Sequence, residues 1–159
     1  MNYTPFMSVF DVDPPIIDNK HLIKWLKINF SFLRNKLLKI KQLDSERDIN
    51  FILSINNKKK YVLKISNPSE KINILKYQDR LINYLRSDFS LKSFIPKIHH
   101  TKIVKYFDKK NRECFVRILS YIEGRMYGDT KSNDKIENSL GKLLGNCLLY
   151  TSSEPTRPD

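Results

Sequence analysis

Residues 61–66 read Tyr61-Val62-Leu63-Lys64-Ile65-Ser66, and the four that follow are Asn67-Pro68-Ser69-Glu70. Val62, Leu63 and Ile65 favour a buried strand. Lys64 stands alone among them, and an ammonium inside a strand is expensive to bury unless an anion meets it. The plain alternative is an edge-strand lysine that faces water. Asn67 to Glu70 carries the marks of a helix start: Asn67 as N-cap, Pro68 in the first helical position and Glu70 three residues after the cap. The stretch therefore predicts a strand that presents one lysine, followed directly by a helix.

Working upstream, Asn56-Asn57-Lys58-Lys59-Lys60 reads as a turn, and Asn50 to Ile55 as a strand. Asp44 to Asp48 is a polar tip, and Leu37 to Leu43 alternates like another strand. With Lys60 to Ser66 these make a three-stranded antiparallel meander. Asp18 caps a helix from His21 to Phe30, whose apolar face is Leu22, Ile23, Trp25, Leu26 and Phe30. Residues 1–17, with Pro5, Pro14 and Pro15, read as an irregular lead-in.

Working downstream, the helix from Pro68 to about Leu85 places Ile74, Leu75, Leu81, Ile82 and Leu85 on one side. Gln78 shares that side; it is a candidate hydrogen-bond partner for Lys64, although a core-edge amide is the commoner role. Ser87 to Phe94 is a loop, and Ile95 to Ile98 begins an extended segment. Ile103 to Phe107 and Cys114 to Leu119 form a hairpin around the polar turn Asp108 to Glu113, and Gly124 breaks the last strand. Lys131 to Asp134 is a linker, and Ile136, Leu140, Leu143 and Leu144 suggest a final helix. The expected fold class is α+β: a five-stranded antiparallel sheet, one long helix after strand 3, and a helix near each end.

The chain has 159 residues, enough for one domain with a core, and carries a net charge of +12. Such a balance suits nucleic acid or an anionic membrane surface. The lysines, however, are spread along the whole chain without an arginine-rich helix, which favours a compositional bias and argues against nucleic acid. Cys114 and Cys147 have no metal-ligand spacing and fit a reducing cytoplasm. His99-His100 has no third ligand nearby in sequence. No signal peptide or membrane span is read, so a cytoplasmic protein is expected.

Four stretches carry a resemblance: Leu43 to Phe51, Tyr61 to Pro68, Ile95-Pro96-Lys97, and Val116 to Arg125. In this order and spacing they resemble the aminoglycoside phosphotransferase family, a kinase-like group, over roughly residues 10–146. Within it they are similar to hydroxylysine kinase and equally to the phosphotransferase domain fused to class III aminotransferases. The resemblance implies a protein-kinase-like small lobe over 18–124, with 125–146 as linker and first helix toward a larger lobe. It implies that Lys64 pairs with the phosphates of ATP and that the hairpin tip from Ser45 to Asn50 covers them without a glycine. It places Gln78 where many relatives hold a glutamate, and Ser120, Tyr121 and Ile122 at the hinge that offers backbone groups to adenine. The full enzyme would use Mg²⁺ and transfer the γ-phosphoryl group to a small-molecule hydroxyl acceptor.

The family keeps its acceptor-orienting and metal-holding carboxylates in the larger lobe, the first in a His-x-Asp motif. This sequence has no such motif, because Gly128-Asp129 lacks the histidine. The chain is thus expected to be a truncated N-terminal lobe, itself inactive. Cys147 to Ser152 resembles the translation of a transposon-end sequencing adapter, helical periodicity stops there, and residues 147–159 are expected to be a non-native tail. The rival readings are a basic nucleic-acid-binding domain and a non-catalytic protein-interaction domain.

Overall fold

The computed structural model describes residues 12–89, 91–100, 102–125 and 127–152. Its regular elements are α1 (Asn19–Asn29), β1 (Leu38–Leu43), β2 (Ile49–Ile55), β3 (Lys59–Ile65), α2 (Ile72–Ser87), β4 (Val104–Phe107), β5 (Glu113–Ser120) and α3 (Asp134–Ser152). The strands form one five-stranded sheet in the order β1-β2-β3-β5-β4, with every neighbouring pair antiparallel. The α+β class expected from the sequence is therefore observed.

The chain divides into two compact units: residues 1–79 with 98–121, and residues 80–97 with 122–159. The first holds the sheet, α1 and the opening turns of α2. One sheet face is apolar, because alternate residues of each strand point the same way. Phe51, Leu53, Leu63, Ile65, Val116 and Ile118 lie on it and pack with Leu22 and Leu26 of α1 and with Phe30 and Leu33 beyond it. Asp18 caps α1 as expected, accepting a hydrogen bond from the His21 amide at 3.0 Å.

The turns explain the register. Asn56 and Asn57 both have φ above 50°, the left-handed region that asparagine tolerates and a tight hairpin demands. Leu37 N donates to Asn56 Oδ1 and Asn56 N donates to Leu37 O, which ties the start of β1 to the same turn. Asp108 organises the β4–β5 turn: its carboxylate accepts from the amides of Ile16, Lys110 and Arg112 and from the Arg112 guanidinium. Arg112 also donates to the carbonyls of Asp13 and Pro14, so described residues of the lead-in are fastened to this turn.

Three expectations need correction. Asn67 does not cap α2, which begins at Ile72; it turns the chain first, with its Oδ1 accepting from Ser69 N and Oγ. Ile74 is exposed, so the apolar stripe on the unit's share of α2 narrows to Leu75. Helical structure does not stop at Cys147 but runs to Ser152. In the second unit, Arg86 Nη1 donates to the carbonyls of Lys92 and Ile95 and so folds the loop after α2. Phe89, Leu148 and Leu149 are exposed in that unit.

Candidate functional site

The second face of the sheet carries a polar row. Asn50 on β2 pairs in register with Lys64 on β3, and Lys64 with Arg117 on β5. Residues directly opposite on antiparallel strands share a face, so these three side chains project side by side. The two cations differ in their surroundings. Arg117 is buried; its Nη1 meets Asp79 Oδ1 at 2.8 Å, and its Nη2 donates to Gln78 Oε1 at 2.8 Å. Lys64 is about one-third exposed, and its Nζ lies 4.0 Å from Asp48 Oδ2.

This answers the question that the lone strand lysine raised. Gln78 serves Arg117 instead of Lys64. The carboxylate facing Lys64 comes from the β1–β2 tip. The buried cation that the apolar run of β5 encloses is Arg117, which the sequence reading quoted but did not single out. A charged residue inside Val116-Arg117-Ile118 was a signal of the same kind as Lys64 inside Leu63-Lys64-Ile65.

Lys64 opens into a cavity of about 470 Å³, lined by residues 44–48 of the tip together with Asn50, Lys64, Glu70 and Gln78. Ser45 Oγ and Asn50 Oδ1 are buried at its wall and find no hydrogen-bond partner among the described residues. Buried polar groups are nearly always satisfied, so such atoms call for an explanation. The lining holds four carboxylates, Asp44, Glu46, Asp48 and Glu70, against the cations Arg47 and Lys64. Glu70 meets Arg47 at 3.5 Å.

The tip is held in place by Asn67, a fully buried residue that the sequence suggested only as a helix cap. Its backbone N–H donates to Asp48 Oδ1 at 3.0 Å. Its Nδ2 donates to the carbonyls of Val12 and Arg47. A single amide thus joins the lead-in, the tip and the end of β3.

Of the expected site residues, the structure brings Ser45, Asn50, Lys64 and Gln78 to one cavity. Ser120, Tyr121 and Ile122 do not line it. Ser120 closes β5 three residues beyond Arg117, roughly 10 Å along the strand from the register position of Lys64. Tyr121 is half-buried, with Lys60 Nζ 5.2 Å from its ring centre, and Ile122 is exposed.

Among the described residues no group of three or more His, Cys, Asp or Glu side chains is placed to hold a metal ion. No helix among them is long and apolar enough to cross a membrane. Comparisons with protein-family models, with curated proteins and with solved structures each return no match to this chain.

Proposed function

We propose that the sheet unit is the nucleotide-binding lobe of a kinase-like small-molecule phosphotransferase, with the Lys64 cavity taking the phosphates of ATP. The observation that carries this reading is one partly exposed lysine at a cavity under a hairpin tip, beside Ser45 Oγ and Asn50 Oδ1, which have no partner among the described residues. The donors suit a phosphate: an ammonium, the Ser45 hydroxyl, and the Asn50 amide, whose oxygen and nitrogen can exchange places. The strand order, with α2 following β3, agrees with the small lobe that the sequence resembles. Ser120 and Tyr121 would meet the adenine, since the step from Lys64 to the end of β5 is within reach of one extended nucleotide.

In the parent enzyme the γ-phosphoryl group would pass to a small-molecule hydroxyl, alone or ahead of a fused aminotransferase domain. Mg²⁺ would neutralise phosphate charge there. The resemblance assigns its ligands and the acceptor-orienting carboxylate to the larger lobe. With those groups elsewhere, this chain is expected to bind nucleotide without catalysing transfer.

The test is a titration with ATP followed by amide chemical shifts. Binding is expected on the order of 1 mM, with shifts centred on residues 44–50 and 64. Lys64→Met is expected to weaken it about tenfold, the scale of one hydrogen bond to a charged group. Shifts scattered over the surface lysines, with Lys64→Met indistinguishable from wild type, would overturn the proposal.

A further inference from the structure

We infer that Asp48 is an internal competitor for the anion at Lys64, and that this carboxylate sets how tightly the cavity takes polyphosphate. The inference rests on the phosphate-binding reading above and adds its regulation.

The geometry is that of a restrained ion pair. At 4.0 Å, Lys64 Nζ and Asp48 Oδ2 are beyond hydrogen-bond length. Asp48 cannot simply close on the ammonium, because its other oxygen accepts the backbone N–H of Asn67 at 3.0 Å. Asn67 is itself immobilised by bonds to Val12, Arg47 and Ser69. The carboxylate is therefore fixed near Lys64 without satisfying it.

Asp44 and Glu46 line the same cavity, and the remaining neighbouring carboxylates are otherwise engaged. Asp79 is paired with Arg117, and Glu70 faces Arg47. An anion that reaches Lys64 consequently meets Asp48 as the fixed negative charge within ion-pair range of that ammonium. Like charges about 4 Å apart in a partly solvated site alter an affinity by roughly tenfold or more. Lys64 thus draws phosphate in while Asp48 opposes it, and the balance keeps the cavity weak for small anions that reach only one donor. A polyphosphate that also engages Ser45 and Asn50 has the further contacts needed to outcompete the carboxylate.

Asp48→Asn separates the charge from the scaffold, since its side-chain oxygen can still accept the Asn67 N–H. Binding of inorganic tripolyphosphate and of ATP is compared between wild type and Asp48→Asn at low and high salt. Asp48→Asn is expected to bind both about tenfold more tightly at low salt, and the gap is expected to narrow as salt screens the partly exposed charge. Slow hydrogen exchange at the Asn67 amide is expected to persist in Asp48→Asn and to be lost in Asp48→Ala. If wild type binds through Lys64 but Asp48→Asn binds no more tightly, or its gain is insensitive to salt, the competitor role fails and the nucleotide reading stands. If neither protein binds either probe, both fail.

Discussion

Two hairpin turns of the sheet each place an aspartate beside a cation, and they use it in opposite ways. At the β4–β5 turn the Asp108 carboxylate is buried and accepts five hydrogen bonds, two of them from the Arg112 guanidinium. At the β1–β2 tip the Asp48 carboxylate keeps one backbone bond and a stretched ion pair, beside Ser45 Oγ and Asn50 Oδ1, which have no partner among the described residues. In the first arrangement the carboxylate is saturated and serves the fold. The second has bonding capacity left over beside a cavity, which is what a binding site requires.

The largest expected effect tests the saturated turn. Asp108→Ala leaves several amides without an acceptor and the Arg112 guanidinium without its counter-charge, and breaking a largely buried pair in this way costs about 3 kcal/mol. Urea unfolding followed by the fluorescence of Trp25 measures it, since that ring packs edge-on to Tyr106 of β4. Burial alone would raise the Asp108 carboxyl, but the Arg112 guanidinium and the amides of Arg112 and Ile16 outweigh it and hold the group below the usual carboxylate range. A carboxylate lowered in the folded state contributes stability above its unfolded value, about pH 4, and loses it as pH falls through the folded one. The gap between wild type and Asp108→Asn is accordingly expected to be constant near neutrality and to shrink progressively below about pH 4. A loss under 1 kcal/mol at neutral pH would remove the contrast between the turns.

An intermediate effect is expected beneath the polar row. Asp79→Ala leaves Arg117 buried with only Gln78 and the Leu75 carbonyl, and the loss is expected to be about 2 kcal/mol in the same urea assay. If Asp79→Ala proves neutral, the ion pair is not what keeps Arg117 in the sheet.

The two turns also show what a sequence discloses. The strands and their local pairings, the Asp18 cap and the polar turn at Asp108 were legible because they follow local rules: alternation, capping and turn chemistry. Lys64 was legible as a cation out of place in an apolar run. Its partner was not, because Asp48 reaches it only through the β2–β3 register, and a single chain does not announce cross-strand neighbours. Asn67 misled for a related reason. Asn-Pro-x-Glu fits a helix start locally, but the same side chain was drawn into long-range bonds to Val12 and Arg47, and the helix began at Ile72 instead. Arg117 was overlooked because β5 reads as a continuous apolar strand, buried from Cys114 to Leu119.

The smallest expected effect is the most diagnostic for the open turn. Lys64 and Asp48 are both partly exposed and too far apart to share a hydrogen bond, and exposed or stretched pairs of this kind contribute about 1 kcal/mol at most. Lys64→Met keeps an apolar stem of similar length and removes the charge. Its stability is therefore expected to stay within about 1 kcal/mol of wild type, while ATP binding falls. Near-neutral stability with lost binding separates a lysine kept for a ligand from one kept for the fold, and the Asp108 variants supply the opposite pattern in the same sheet. A Lys64→Met protein as damaged as Asp108→Ala would make the two turns equivalent and leave the cavity without its reason.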